Sequence, residues 1–149
     1  MREYMEEGDL MVAEIKNVSF TDKSLALHIR HEKFGKLERG ALVAVNSCLV
    51  KRMKNHFVER HGVEFIFGLN GFVWLSPKAK AFEPATLETM AKFRNIIMIL
   101  SENFVSIVPE LVFDIYAMTA NYRAKDLTLL ENKAKIFEFV EKSIEARNN

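Results

Sequence analysis

The sequence predicts an α+β protein in which strands dominate the first half of the chain and helices the second. Up to about residue 77, apolar residues alternate with polar ones or form short runs, whereas from Pro84 onward they recur every three or four positions. No repeat of fixed period and no low-complexity tract interrupts this order. With 149 residues, of which 49% are apolar and 28% charged, the composition is that of a folded chain.

Two strands are expected near the N-terminal end. Residues 8–19 and 24–30 both alternate between apolar and polar positions, and the polar residues 21–23 between them favour a β-hairpin. Because a two-stranded unit is not stable alone, the hairpin is expected either to pack on the rest of the chain or to be the end of a barrel. In the first strand Met11, Ala13 and Ile15 are expected on one face, and in the second strand Leu25, Leu27 and Ile29 are expected to face inward.

The next segment predicts a connector, a strand and a helix. Residues 31–40 are charged and contain two glycines, which is typical of a connector between modules. The apolar run at residues 41–45 predicts a short buried strand, and Ser47 can then cap a helix that continues to Phe57. The apolar face of this helix would carry Leu49, Val50, Met53 and Phe57, and its wet face Lys51, Arg52 and Lys54.

A second hairpin is predicted around Asn70-Gly71. Residues 63–67 and 72–75 are rich in aromatic and β-branched residues, and both Asn and Gly adopt positive φ at low cost. Residues 68–71 also spell G-x-x-G, the spacing with which KH modules clamp an RNA backbone. Such a clamp joins two helices, whereas the flanking segments here are strands. Gly68, Asn70 and Gly71 are therefore predicted to form a structural turn.

Three helices are predicted in the second half. Pro84 and Thr86 can open a helix that runs to about Leu100, Pro109 falls in the first turn of another, and Asp126 can cap the last. The apolar stripes expected are Leu87, Met90, Phe93, Ile97 and Leu100 in the first helix, Leu111, Ile115, Met118 and Tyr122 in the second, and Leu130, Ala134, Phe137, Val140 and Ile144 in the third.

Residues that could support enzyme chemistry are scattered. The single cysteine, Cys48, cannot form an internal disulfide and is expected to be buried for packing. The four histidines lie outside any C-x-x-C or H-E-x-x-H spacing, and neither a Walker-type nor a dinucleotide-type glycine loop is present. The sequence has no run of 18 apolar residues and no secretory signal. We therefore expect an intracellular protein without enzyme activity, cofactor or metal.

Positive charge is concentrated in one region. The formal net charge is only +1, but residues 28–56 contain seven lysines and arginines against two glutamates, a local surplus of five charges. Cations clustered in this way release counterions together when they meet RNA phosphates. They can equally be the solvent side of an amphipathic helix, and charge alone does not decide between the two interpretations.

Four short stretches occur in an order that one family shares. Residues 28–30 read HIR, residues 33–37 KFGKL, residues 49–57 LVKRMKNHF and residues 68–75 GLNGFVWL. Together they closely resemble the Rrp4 family of RNA exosome cap subunits. The corresponding stretches in that family look like S-L-H-T-R, K-Y-G-K-L, L-V-K-R-Q-K-x-H-F and G-x-N-G-[FY]-[IV]-W-[IV]. The resemblance covers residues 8–76 and is looser over residues 85–149.

The resemblance implies an S1 domain, which is an OB-type β-barrel, followed by a KH domain. For this chain it implies the last two S1 strands in residues 1–37, a KH-like domain in residues 41–101, and extra C-terminal helices packed on that domain in residues 102–149. The family's N-terminal domain and earlier S1 strands have no counterpart in the sequence. In the family, G-x-N-G packs the two domains together, and the usual KH clamp would lie near residues 51–55, where cations replace its glycines.

The function implied by the resemblance is a non-catalytic cap subunit. It would stabilise the exosome ring and guide single-stranded RNA into the central channel for 3′ to 5′ degradation and processing, including that of rRNA. The implied partners are RNase PH-like ring subunits, other cap subunits and single-stranded RNA, without DNA or membrane. The implied location is the nucleus, nucleolus and cytoplasm in a eukaryote, or the cytoplasm in an archaeon. The cations expected to contact RNA are Arg30, Lys33, Lys36, Lys51, Arg52 and Lys54.

A second hypothesis is a scaffold module without direct RNA contact, in which the same cations meet acidic grooves of neighbouring subunits. A third, a hydrolase, would need ribonuclease activity in the isolated chain. Crosslinking of the cations to RNA or only to protein distinguishes the first two hypotheses.

Overall fold

The N-terminal part of the chain forms two pairs of antiparallel strands. The computed structural model describes residues 5–29 and 34–149, and the chain divides into two units, Met1–Arg39 and Gly40–Asn149. In the first unit, β1 (Met11–Val12) pairs with β4 (Gly35–Lys36), and β2 (Glu14–Ser19) pairs with β3 (Ser24–His28). The predicted hairpin of residues 8–30 is thus present as β2 and β3, whereas an S1-type barrel remnant stays a prediction.

One face of the β2–β3 hairpin is apolar and open. Ile15 lies opposite Leu27 and Val18 opposite Leu25, because the register shifts between Ile15 and Asn17 and returns the apolar residues to one face. These four side chains are between 48% and 59% exposed. Leu25, Leu27 and Ile29, which were expected to face inward, are 58%, 51% and 40% exposed, because the two strands of the hairpin alone do not cover their apolar face.

The second unit begins with a four-stranded antiparallel sheet. Its strand order is β5-β8-β7-β6, so that β5 and β6 form the two edges. The residues on the buried face include Phe65, Phe67, Val73 and Leu75, each 1% exposed or less. The strands are β5 (Ala41–Ala44), β6 (Phe57–Arg60), β7 (Val63–Phe67) and β8 (Phe72–Pro77).

The helix predicted from Ser47 to Phe57 does not form. A single 3-10 turn spans Ser47–Leu49, and the chain then runs in extended or irregular conformation into β6. A contact distant in sequence explains the difference: the carbonyl oxygen of Leu49 accepts a hydrogen bond of 2.8 Å from the Ile107 amide, and Val50 forms a parallel bridge with Ile107. Continuing the helix would break this pairing.

The next two helices begin close to the predicted residues. Helix α1 (Pro84–Glu102) and helix α2 (Pro109–Met118) both have proline in their first turn, where its missing N–H costs nothing. The predicted stripe of α1 is buried except for Leu87, which is 44% exposed. In α2, Leu111 and Ile115 are buried but Met118 is at the surface.

The third helix starts later than its predicted cap. Asp126 lies in a 3-10 turn, Ala124–Thr128, where its carboxylate accepts a hydrogen bond of 3.0 Å from the Arg123 amide. Helix α3 then spans Leu130–Asn148 and buries Ile136 and Val140. Of the predicted stripe, Leu130 is 84% exposed, so the buried face is rotated from the expected one.

Cys48 was expected to be buried but is an exposed free thiol. In this segment the side chains that enter the core are those of its neighbours Leu49 and Val50. No helix of the described residues combines the length and hydrophobicity that a bilayer crossing requires.

Candidate nucleic-acid interface

Three predicted cations lie together on a loop between the first 3-10 turn and β6. This loop, residues 51–56, is called the cationic loop below. Lys51, Arg52 and Lys54 are all exposed, and none of them forms an ion pair with another described residue. Their ammonium and guanidinium groups are therefore available to an external anion, although from a loop and not from the helix face expected.

Histidine and asparagine side chains hold the backbone of the cationic loop. The Nδ1–H of His56 donates a hydrogen bond of 2.7 Å to the Phe67 carbonyl, and its Nε2 accepts from the Met53 amide at 3.5 Å. In this arrangement Nδ1 is the donor and Nε2 the acceptor. The Oδ1 of Asn55 accepts from the Phe57 amide at 3.1 Å. The loop is thus hydrogen-bonded to the end of β7, the strand next to the edge strand β6.

The other predicted cations do not join this group within the described residues. Lys36 belongs to the first unit, where its Nζ lies 3.2 Å from Asp9 Oδ2 and 3.7 Å from Glu38 Oε1. The hydrogen bond with Asp9 raises the pKa of Lys36, while the Glu6 amide and then Lys36 lower the pKa of Asp9. Arg30 and Lys33 fall outside the described residues.

The G-x-x-G residues lie in the connection between β7 and β8. The Gly68 amide donates to the Phe72 carbonyl at 2.9 Å, the Gly71 amide to the Gly68 carbonyl at 3.1 Å, and Asn70 Oδ1 accepts from the Phe72 amide at 3.3 Å. Gly71 has φ +90, and a Cβ there would overlap the carbonyl oxygen of Val45. This corner therefore requires glycine for both its conformation and its contact with the end of β5.

A groove that contains the ring of Phe113 lies beside the cationic loop, and the sequence alone does not predict it. The guanidinium carbon of Arg60, at the end of β6, lies 4.8 Å from the ring centre of Phe113 on α2. A groove of about 650 Å³ opens between the loop, β6 and the first turns of α2. Arg60 and Phe113 are 53 residues apart in sequence, so only the packing of α2 against the sheet brings them together.

The described residues contain no cluster of three or more His, Cys, Asp or Glu side chains arranged to hold a metal ion. Of the histidines, His28 lies with its Nε2 3.8 Å from Glu14 Oε2, His61 contacts Tyr116 with 4.7 Å between the tilted rings' centres, and His56 holds the cationic loop. His31 is outside the described residues.

Comparison with known families first defines the class of the second unit. A family model described as a KH domain matches residues 40–81, which contain the whole four-stranded sheet and the cationic loop. The match agrees with the mixed α+β architecture, and this unit therefore contains a KH domain.

Comparison with individual proteins defines the family. "Exosome complex component RRP4" of Bos taurus is 34% identical over 142 residues, covering 85% of this chain and 48% of that protein. The RRP4 homolog of Arabidopsis thaliana is 41% identical over 90 residues, which cover 59% of this chain and 28% of that protein. RRP4 of Saccharomyces cerevisiae is 42% identical over 76 residues, which cover 50% of this chain and 21% of that protein. The chain belongs to the Rrp4 family and spans about half the length of the Bos taurus relative. The resemblance found in the motifs is confirmed.

Proposed function

We propose that this chain is a non-catalytic, RNA-binding cap subunit of an RNA exosome, which guides single-stranded RNA toward degradation or processing. The proposal rests on the cationic loop: a KH domain of the Rrp4 family carries Lys51, Arg52 and Lys54 exposed and without internal ion pairs in the described part of the chain.

The three cations of the cationic loop have no ion-pair partner among the described residues and sit on a hydrogen-bonded backbone, and both features favour binding of an RNA phosphate backbone. An ion-paired lysine must give up its partner before it meets a phosphate, whereas these three need lose only water. The hydrogen bonds of His56 to Phe67 and Met53 hold the loop in place, so less conformational entropy is lost when it binds. Phosphate contacts do not distinguish one base sequence from another, as is expected of a subunit that guides RNAs of many sequences.

The proposed domain organisation and partners follow the family. Residues 1–37 are the end of an S1 domain, residues 41–101 the KH-like domain, and residues 102–149 a helical extension. RNase PH-like ring subunits, other cap subunits and single-stranded RNA are the proposed partners, in the nucleus and cytoplasm of a eukaryote or the cytoplasm of an archaeon. Lys36, Arg30 and Lys33 would supply further RNA contacts, with Lys36 exchanging Asp9 for phosphate.

The salt dependence of RNA binding tests the role of the loop. For poly(A), a plot of log affinity against log salt concentration has a negative slope. The double variant Lys51→Glu with Arg52→Glu should make this slope shallower by at least about 1.4, since each phosphate contact on a single strand contributes about 0.7. The measurement uses the chain assembled with exosome ring subunits.

A matched control reverses two exposed cations elsewhere. Lys125→Glu with Lys135→Glu makes the same change in net charge on the second 3-10 turn and on α3, and should leave the slope near that of the parent. An unchanged slope in the loop variant would refute the guiding role. Crosslinks from the loop to protein and never to RNA would favour the scaffold hypothesis.

A further inference from the structure

We propose that the groove beside the cationic loop holds one nucleobase of the bound RNA, stacked on the guanidinium of Arg60. This inference rests on the proposed function and adds a base-binding subsite to its phosphate contacts. The groove measures about 650 Å³, within the usual range for small-molecule sites. Its walls include Met53, Lys54, Val58, Arg60, Pro109 and Phe113.

Phe113 provides a fixed platform under Arg60. Its ring meets the buried rings of Phe65 and Phe93 edge to face, with centres 5.6 Å and 5.9 Å apart, so its orientation is set by the core. Arg60 lies above it at 4.8 Å. The guanidinium is planar, and a cation held over the ring face restricts the positions that this group can take.

The other face of the Arg60 guanidinium is open to a ligand. Arg60 is exposed and forms no ion pair with a described residue. Unstacked RNA bases pack against arginine planes and aromatic rings. A base on this face would complete a layered stack of Phe113, Arg60 and base.

The charges around the groove favour RNA as the occupant. Lys54 lines the groove and belongs to the cationic loop, so a nucleotide whose base enters the groove can place its phosphate near an unpaired ammonium group. Of the two acids in the lining, Asp114 is engaged by Arg147 at 3.0 Å. The open cations therefore outnumber the open acid, Glu110, at this site.

The variant Arg60→Lys tests the stack because it keeps the charge but loses the planar group. The probe is a short oligoadenylate bound to the chain assembled with exosome ring subunits. We expect Arg60→Lys to weaken binding roughly 5- to 150-fold, the range for one base–side chain stack, with an unchanged salt slope.

Two controls separate the possible outcomes. An abasic oligonucleotide of equal charge should bind the parent and Arg60→Lys alike, and the intrinsic fluorescence of the single tryptophan, Trp74, which is buried, checks that each variant is folded. If Arg60→Lys leaves affinity unchanged while Lys51→Glu with Arg52→Glu still lowers the salt slope, the base subsite is wrong and the guiding function stands. If the parent assembly binds no RNA through either group, both fail.

Discussion

Lys92 on α1 donates a hydrogen bond of 2.7 Å from its Nζ to the carbonyl oxygen of Thr119, the residue that ends α2. The lysine is only 6% exposed, and its ammonium also lies 4.8 Å from the ring centre of Tyr116. A positive charge at the C-terminal end of a helix interacts favourably with the helix dipole. Lys92 therefore joins the helix that follows the sheet to the helix that carries Phe113.

The first prediction concerns the pH dependence that this buried lysine adds to stability. Burial lowers the pKa of Lys92 below 10.5, against an opposing effect of Glu88. Between the lowered value and 10.5 the unfolded chain binds more protons, so Lys92 makes the free energy of unfolding rise with pH in that window. In Lys92→Met this contribution should be absent.

Urea unfolding of parent and variant across that pH window measures the effect. Lys135→Met, which removes an exposed lysine of α3, serves as the control and should keep the parent's profile. Parallel profiles for the parent and Lys92→Met would show that Lys92 titrates alike in both states.

The second prediction compares two glycines in hairpin turns. Gly71 and Gly62 both have positive φ, +90 and +74, but a Cβ at Gly71 would overlap the Val45 carbonyl, whereas nothing lies within 4 Å at Gly62. Both alanine variants should lose about 1–2 kcal/mol through backbone strain. Gly71→Ala should lose a further 1–3 kcal/mol or so through the overlap.

Urea unfolding of the two glycine variants gives this difference directly. A loss for Gly71→Ala no larger than that for Gly62→Ala would mean that the end of β5 moves aside freely.

The third prediction concerns neighbours on the first 3-10 turn. Cys48 is exposed while Leu49 is 7% exposed and packs in the core. Cys48 should react with a thiol reagent in the native state, and Cys48→Ser should change the free energy of unfolding by less than about 0.5 kcal/mol. Leu49→Ala should cost about 2–5 kcal/mol. A thiol that reacts only after denaturant is added would contradict this placement.

The fourth prediction concerns the backbone of the cationic loop. His56→Ala removes the acceptor of the Met53 amide, so hydrogen exchange at Met53 should become faster and affinity for RNA should fall as the loop loses order. Lys54→Ala removes a charge but none of these bonds, and it should weaken RNA binding without changing exchange at Met53. Equal exchange in both variants would show that His56 does not order the loop.

Local signals in the sequence predict the elements whose cause is local. The Asn70-Gly71 pair predicts the connection between β7 and β8, where Gly71 has the expected positive φ and Asn70 does not. Pro84 and Pro109 mark the starts of α1 and α2 because each occupies a first turn. In both cases the decisive interaction spans only a few residues.

Long-range contacts explain the errors. The periodicity of residues 47–57 favours a helix, but Leu49 and Val50 pair with Ile107 instead. Ile107 lies far outside the segment from which the helix was predicted, so local periodicity does not reveal this pairing. The same reason applies to the candidate site. Counting charges finds Lys51, Arg52 and Lys54, whereas the contact of the Arg60 guanidinium with the Phe113 ring requires the packing of α2.

The link between Leu49 and Ile107 makes the C-terminal helices relevant to the loop. A truncated chain that stopped after α1 would keep every strand of the sheet, yet the Leu49 carbonyl would lose the amide that holds it, and Arg60 would lose Phe113. Shortening the protein to its family-model match, residues 40–81, would therefore preserve the recognisable motif while removing contacts that shape its surface.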